Sequence, residues 1–222
     1  MAAKQDQLRR KKSRTPRVDF SRGKSKTRDQ FKTILIVCED SVLAPDYFRA
    51  MKKDLGLSSV EIVGGDVAGT DPEHIVEHAK DRLKEASGGI EKVYCVFDSE
   101  APNTGRDSRF KNALKEISAS EGKIIGASSV PCFEFWVLLH YKMTTAEFKD
   151  CSEVEKTIKK YIKGYSKGNL TGAELYSELK NKTDIAIKNA KNLKVEKERH
   201  GIPNPATDIH LLVEELLNIS KK

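Results

Sequence analysis

Carboxylate side chains follow two apolar segments of this chain, and their spacing points to metal chemistry. Residues 34–38 run straight into Glu39, and residues 93–97 run straight into Asp98, with Glu100 two positions later. Apolar runs without polar interruption are typical of strands covered on both faces of a parallel sheet. In extended backbone, side chains two positions apart point the same way. Parallel strands end at one edge of the sheet, which is where open α/β sheets bind ligands.

Acids gathered at this edge would repel one another unless a cation lay among them. Carboxylate oxygens are the ligands that Mg²⁺ prefers, so the sequence predicts a Mg²⁺ or Mn²⁺ site. Glu134 is a further candidate, because it is a carboxylate inside an otherwise apolar stretch. Its side chain either faces solvent or joins the acid cluster, and we favour the second interpretation. The predicted metal ligands are Asp98, Glu100, Glu39 and Glu134.

The elements that must position these acids alternate between strands and helices over residues 31–127. Apolar strand segments are separated by amphipathic helical segments with short connections, in the pattern β-α-β-α-β-α-β. This order predicts an α/β fold, a Rossmann-like parallel sheet with right-handed crossovers and helices on both faces. The predicted organisation is a basic arm over residues 1–30, an α/β domain over residues 31–142, and a helical C-terminal extension over residues 143–222 that packs on the same core.

The first 32 residues carry nearly all of the chain's excess charge. They hold 12 Lys or Arg and 3 Asp, a net charge of +9, whereas the whole chain has +7 and the remainder therefore −2. With almost no apolar residues, the basic arm is predicted to be disordered on its own. We expect it to contact the phosphates of DNA or RNA, the alternative being a solubilising tail. The candidate nucleic-acid contacts in the arm are Arg9, Arg10, Lys11 and Lys12.

Two other features of the sequence are expected near the acidic edge. Arg106 and Arg109 would either hold substrate phosphates or pair with carboxylates of the protein, and the sequence favours neither interpretation. The glycine-rich residues 64–70 follow another strand and so reach the same edge. They lack the Lys and the spacing of a phosphate-binding loop. We interpret them as a mobile connection, with lining of the active-site mouth as the alternative.

Composition indicates a cytoplasmic protein. No apolar run approaches the roughly 20 residues of a membrane span, and no secretory signal is evident, so no membrane contact is expected. The cysteines are therefore expected to be reduced and packed in the interior. None of them forms a C-x-x-C pair, so no zinc site is expected. The four cysteines are Cys38, Cys95, Cys132 and Cys151.

Several segments of the chain together resemble the RloB-like family, which is assigned to TOPRIM-like folds. The most specific are Pro-Cys-Phe-Glu-Phe-Trp-Val-Leu-Leu-His at residues 131–140 and Asn-Pro-Ala-Thr-Asp-Ile-His-Leu-Leu-Val at residues 204–213. The remaining segments that carry the resemblance are residues 36–39, 45–48 and 96–98. TOPRIM domains occur in topoisomerases, primases and OLD-type nucleases. The resemblance therefore implies a TOPRIM-like parallel sheet for the α/β domain.

The resemblance also implies a role for each acid. In TOPRIM enzymes the glutamate after the first strand acts as general acid/base, which maps to Glu39, and the acidic pair that holds Mg²⁺ maps to Asp98 and Glu100. RloB-like proteins occur in prokaryotic restriction or phage-defence loci, commonly beside an AAA-type ATPase. The resemblance thus implies a metal-dependent nuclease in an abortive-infection system, with nucleic acid and the ATPase as partners. A homo-oligomer is compatible with this function.

Three positions depart from the TOPRIM pattern. Asp40 stands where a glycine usually follows the first acid, Ala44 where an acid is common, and Glu100 where the pair usually has Asp. These departures support an alternative function, a catalytically weakened subunit that binds nucleic acid or the ATPase. A nucleotide-handling enzyme is less favoured, because no glycine fingerprint follows the first strand. The two main hypotheses differ in whether the protein cleaves nucleic acid when Mg²⁺ is supplied.

Overall fold

Five strands form one sheet: β1 (Thr33–Cys38), β2 (Val60–Val63), β3 (Ile90–Asp98), β4 (Ile124–Val130) and β5 (Ala206–Thr207). Their order across the sheet is β2-β1-β3-β4-β5. The first four strands are parallel, and β5 is antiparallel to β4. The computed structural model describes residues 33–99, 107–166, 168–201 and 203–221. The two acid-tipped strands, β1 and β3, are therefore direct neighbours.

Helices flank this sheet and make up most of the chain after β4. In chain order they are α1 (Leu43–Asp54), α2 (Gly65–Ala68), α3 (Pro72–Glu85), α4 (Asp107–Ser118), α5 (Glu134–Leu139), α6 (Cys151–Ile158), α7 (Gly172–Leu179), α8 (Thr183–His200) and α9 (Ile209–Ser220). The predicted fold class is confirmed as an α/β sheet, mostly parallel, with flanking helices and a helical C-terminal part. Over the described ranges, no helix combines the length and apolar character needed to cross a bilayer.

Side-chain alternation along β1 and β3 creates a core on each face of the sheet. Leu35 and Phe97 belong to one buried cluster, to which α3 and α4 contribute, whereas Ile36 and Val96 belong to the other. Because both faces are covered, the two strands are apolar throughout, as the sequence indicates. Asp98, at the carboxyl end of β3, is only half-buried. The apolar run and the burial therefore end together, where the acids begin.

The helices after β4 belong to the larger of these two clusters. Ile158 of α6, Leu175 of α7 and Leu216 of α9 are buried in it together with Trp136 of α5. The cluster also contains residues of β1 and β3, so the C-terminal helices share the core of the sheet. By its internal contacts, Phe31–Lys222 forms one compact unit.

Within the predicted helical extension, residues 173–193 form a Lys-rich amphipathic segment, which the structure divides between two helices. A short 3₁₀ turn, Lys180–Lys182, joins α7 to α8, and Thr183 Oγ1 donates to the Lys180 carbonyl at 3.0 Å. No Gly or Pro marks this break, so helical periodicity does not reveal it. The turn lets α7 pack against α1 while α8 packs against α5 and α9.

β5 is a strand that the sequence analysis misses. The Ile-Pro-Asn-Pro sequence at residues 202–205 predicts an extended break before the last helix, whereas the structure has a strand directly after it that extends the sheet beyond β4. Buried Thr207 and Ser129 share a hydrogen bond of 2.8 Å between their hydroxyls, and the Asp208 N–H donates to the Ser128 carbonyl at 2.8 Å. Two residues are too few to show the alternation of a strand. The sheet is therefore mixed, but its acid-bearing part is parallel as predicted.

His140 follows α5 and is buried, with 1% of its surface exposed. Its Nδ1 lies 3.0 Å from the Trp136 carbonyl oxygen, and its ring packs edge-on against the Trp136 indole. Burial lowers the pKa of His140 to about 4; backbone contacts to Trp136 and Val137 oppose this, and the charge of Lys182 adds to it. Between about pH 6.5 and pH 4, His140 is therefore protonated in the unfolded chain and neutral in the folded protein.

We expect the free energy of unfolding to fall as the pH falls from about 6.5 towards 4. A histidine whose folded-state pKa is lowered contributes stability above its unfolded pKa and loses it on acidification. The lowered pKa of His140 should make the free energy of unfolding about 2 kcal/mol smaller at pH 5 than at pH 7. Urea unfolding at both pH values checks this: His140→Gln should lose most of that difference, and the exposed-site variant His200→Gln should keep it. An unchanged pH dependence in His140→Gln contradicts the assignment.

Candidate active site

Glu39 follows the last residue of β1. Its side chain, rather than its backbone carbonyl, accepts the next hydrogen bond from β3. Its N–H donates to the Val96 carbonyl at 2.8 Å. In a regular parallel ladder the Glu39 carbonyl would then accept from the Asp98 N–H. Here the Asp98 N–H donates to Oε2 of the Glu39 side chain at 3.0 Å. The Glu39 carboxylate therefore lies directly against the end of β3, which gives the proximity that the sequence predicts.

The carbonyl of Glu39 faces the glycine-rich stretch. Gly65, at the start of α2, approaches it so closely that a Cβ at this position would lie 1.9 Å from the carbonyl oxygen. The Gly65 N–H donates to the next carbonyl, that of Asp40, at 3.2 Å. Only glycine leaves room for this approach. Residues 64–70 thus contain the short helix α2, and they pack on the end of β1.

These elements enclose a cavity of about 200 Å³ at the carboxyl edge of the sheet. Three acids line it, together with apolar side chains and one threonine from the glycine-rich stretch. The threonine favours the alternative interpretation of that stretch, as a wall of the site. The lining residues are Glu39, Asp40, Ala44, Thr70, Val96, Phe97, Asp98 and Phe133.

Asp40 is a residue of the site that the sequence analysis treats only as a departure from a family pattern. Its Oδ2 accepts from the Ala44 N–H at 2.9 Å, so it satisfies one of the unpaired N–H groups in the first turn of α1. The side chain is exposed and lines the cavity. Asp40 therefore both holds the start of α1 at the cavity and adds a third negative charge to it.

The donor atoms of the cavity suit a hard divalent cation. Its charged lining groups are all carboxylates, and none of the described lining side chains offers nitrogen or sulfur. Apart from Thr70, the remaining lining residues are apolar, and low-polarity surroundings strengthen the attraction between the acids and a cation. Glu39 and Asp98 are half-buried, so each is partly withdrawn from solvent while facing the cavity.

Glu134 lies in a different group from Glu39 and Asp98. It is buried, with 2% of its surface exposed, and its Oε2 lies 3.2 Å from Sγ of Cys151. Cys151 forms a disulfide with Cys132, so the expectation that all four cysteines are reduced is wrong for this pair. Glu134 does not line the acidic cavity. Of the three predicted metal ligands that the structure describes, Glu39 and Asp98 therefore share the cavity, and Glu134 lies elsewhere.

Several predicted site residues lie outside the described residues, and their roles stay predictions. Among them is Glu100, the acid expected to join Glu39 and Asp98, so the described part of the site contains two of the three predicted catalytic acids. The others are cationic residues predicted to contact nucleic acid: Arg9, Arg10, Lys11, Lys12 and Arg106.

Arg109, on α4, is described, and it pairs with a carboxylate of the protein. Its Nη1 donates to Oδ2 of Asp71 at 2.6 Å, and Asp71 caps α3 by accepting from the Glu73 N–H at 3.0 Å. Partial burial acts to raise the pKa of Asp71, but the hydrogen bonds from Arg109 and Glu73 outweigh it and lower the pKa. Asp71 follows Thr70, so this ion pair ties α4 to the chain beside the cavity.

The fold and the site define an α/β protein with an acidic cavity at the carboxyl edge of a parallel sheet, where such folds bind their ligands. The family model described as RloB-like protein matches residues 34–216, so the chain belongs to the RloB-like family. This confirms the resemblance drawn from the sequence. No curated protein and no solved structure matches the chain.

Proposed function

We propose that this protein is a metal-dependent nuclease that hydrolyses phosphodiester bonds of DNA or RNA. The observation that carries the proposal is the hydrogen bond of 3.0 Å from the Asp98 N–H to the Glu39 carboxylate. It sets two acids from neighbouring strands side by side in one cavity lined by oxygen donors. Phosphodiester hydrolysis requires stabilisation of charge on the attacking and leaving oxygens, which a hard cation held by such acids supplies.

In this proposal the acids have separate tasks. Asp98 and Glu100 would hold Mg²⁺ or Mn²⁺, which polarises the scissile phosphate when bound. Glu39 would accept a proton from the attacking water, and the Asp98 N–H holds its carboxylate in position for that transfer. Glu39 and Asp98 are half-buried, which limits the access of bulk water to these groups.

Membership of the RloB-like family fits a defence-associated protein. We therefore place the nuclease in a prokaryotic phage-defence or abortive-infection system, working with an AAA-type ATPase. The net charge of +9 on the first 32 residues would supply affinity for nucleic acid without sequence preference.

A second candidate function is a binding subunit of the same system without cleavage activity. The observation that favours it is that two of the cavity acids accept hydrogen bonds from the backbone that stabilise the fold. Asp40 accepts from the Ala44 N–H at the start of α1, and Glu39 accepts from the Asp98 N–H at the end of β3. In this function the acids would be retained for structure, and the protein would bind nucleic acid or the ATPase.

The experiment is a cleavage assay on labelled DNA and RNA, with Mg²⁺ or Mn²⁺ titrated and the ATPase absent or present. Wild-type protein should cleave at least one substrate, and a chelator should abolish cleavage. Asp98→Asn should lower the rate by about 100-fold or more, because loss of a metal-ligand charge removes several kcal/mol of transition-state stabilisation. Glu91→Gln, at the exposed amino end of the same strand, is the matched control and should cleave like wild type.

The assay separates the two candidate functions. Metal-dependent cleavage that Asp98→Asn leaves intact removes this cavity as its origin. No cleavage under any of these conditions, combined with co-purification of the protein and the ATPase, supports the binding subunit instead.

A further inference from the structure

The second group of metal-ligating side chains lies where the chain leaves β4 and where α6 begins. Cys132 precedes α5, Glu134 is the first residue of α5, and Cys151 is the first residue of α6. Their donor atoms, two sulfurs and a carboxylate oxygen, all lie within 4.8 Å of one another. In the described part of the chain, no other three His, Cys, Asp or Glu side chains come this close.

The contact between Glu134 and Cys151 has different chemistry in the two oxidation states of the cysteines. Oε2 of Glu134 lies 3.2 Å from Sγ of Cys151. In the disulfide neither sulfur carries a proton, so this contact is not a hydrogen bond in that state. After reduction the Cys151 thiol can donate to the carboxylate, or both atoms can ligate one cation. The buried carboxylate therefore gains a favourable interaction with Cys151 only when the disulfide is opened.

We propose that the reduced protein binds Zn²⁺ through Cys132, Cys151 and Glu134. Two thiolates and a carboxylate are a zinc donor set, and they differ in kind from the all-oxygen donors that Mg²⁺ requires. Zinc–sulfur bonds of about 2.3 Å place two sulfurs about 3.8 Å apart in a tetrahedral site. The two Cα atoms are 5.7 Å apart, so side-chain rotation can open the sulfur pair to that distance. The fourth position would be taken by water.

Before zinc can bind, the disulfide must be reduced, and a dithiol can supply the electrons. Two electrons and two protons pass from the dithiol to the Cys132–Cys151 disulfide, whose S–S bond breaks, and the dithiol becomes a disulfide. Zn²⁺ then displaces one proton from each thiol and binds the two thiolates and the carboxylate. Oxidation by a disulfide of the same class reverses both steps and releases the ion. The site thus binds zinc in one oxidation state and forms a covalent crosslink in the other.

Cys38 and Cys95 do not belong to this site. Cys38 of β1 lies in the larger buried cluster and Cys95 of β3 in the smaller one, so the two thiols are on opposite faces of the sheet. Both are free and buried. Cys95 therefore offers a matched control, because it lies on the other face of the sheet from the cluster that contains Cys132, and replacing it removes a thiol from the chain.

The test uses the full-length chain, with any affinity tag removed, in two forms. One is reduced with dithiothreitol and desalted without oxygen, and the other is left oxidised. We expect the reduced form to bind about one Zn²⁺ per chain and to show cobalt–thiolate charge-transfer absorption when Co²⁺ is added instead. The oxidised form should show neither. The absorption reports thiolate ligands, so it is independent of the acidic cavity, which has no sulfur.

Variants assign the ligands. Cys132→Ser and Cys151→Ser should abolish the cobalt–thiolate absorption, and Cys95→Ser should leave it unchanged. Glu134→Gln removes the charge of a direct ligand, so it should weaken Zn²⁺ binding by at least the roughly 10- to 100-fold that loss of an outer-shell partner costs. Absence of the absorption in reduced wild-type protein overturns the proposal whether or not the variants fold. Equal zinc binding by the reduced and oxidised forms, or by Cys132→Ser, overturns it as well.

Discussion

Replacing Glu39 with glutamine should reduce metal-dependent cleavage by about 10²- to 10⁴-fold, the contribution of a positioned acid/base, and should leave the fold intact. Glutamine has the same length as glutamate, and its carbonyl oxygen can still accept from the Asp98 N–H, 3.0 Å from the present carboxylate oxygen. It cannot take up a proton or supply negative charge to a cation. The substitution therefore removes the proposed chemistry of Glu39 and keeps its structural hydrogen bond.

Glu39→Ala provides the comparison that isolates the structural part. It removes the acceptor of the Asp98 N–H at a half-buried position, which should lower the free energy of unfolding by about 1–3 kcal/mol. Urea unfolding should rank wild type and Glu39→Gln as similar, with Glu39→Ala less stable. Single-turnover cleavage should show both variants as inactive, and Glu91→Gln as active.

A Glu39→Gln protein that cleaves at the wild-type rate would mean that Glu39 only completes the β1–β3 ladder. Combined with a loss of cleavage in Asp98→Asn, it would leave a metal site in the cavity and assign proton transfer to another group. The two substitutions thus test the metal and the proton transfer separately.

That Glu39 and Asp98 lie at the same edge of the sheet could be predicted, because it follows from the parallel direction of their strands. Two uninterrupted apolar runs that end in acids imply buried parallel strands, and parallel strands bring their carboxyl ends to one edge. The neighbouring placement of β1 and β3 then brings the acids into contact. What sequence patterns do not contain is the way that contact is made, through the Glu39 side chain rather than its carbonyl.

Features that depend on a few distant residues could not be predicted. β5 has two residues, too few for a periodic signal, and it is held by a hydrogen bond between Ser129 and Thr207. Cys132 and Cys151 are 19 positions apart without a recognisable motif. The sequence groups Glu134 with the other acids because it is a carboxylate inside an apolar stretch. Its location is decided by the relative placement of α5 and α6, which no local pattern encodes.

The glycine at position 65 leads to the largest expected effect on stability. In Gly65→Ala the new Cβ would lie 1.9 Å from the Glu39 carbonyl oxygen and 2.9 Å from its carbon. Both are backbone atoms, so relief requires that α2 or the end of β1 move. We expect a loss of about 3 kcal/mol in the free energy of unfolding, the upper part of the range for overpacked interiors. Urea unfolding measures it.

The matched control is Gly126→Ala in β4. Its Cβ would meet only the ends of side chains, the nearest being that of Ile117 at 3.4 Å, and its backbone conformation is open to all residues. It should therefore change stability by less than about 1 kcal/mol, as expected for a substitution without a severe clash. Comparing two glycine-to-alanine changes cancels the effect that alanine has on the unfolded chain.

Gly65→Ala should also impair the site in the molecules that remain folded. Any shift of the Glu39 backbone moves its carboxylate away from the Asp98 N–H, and a displacement near 1 Å can cost about 100-fold in rate. Cleavage measured well below the unfolding transition should thus fall far more than the folded fraction does. A Gly65→Ala protein as stable and as active as Gly126→Ala would show that the glycine-rich stretch does not press on Glu39 in solution. In that case the close approach of Gly65 to the Glu39 carbonyl would not be what positions Glu39 in the cavity.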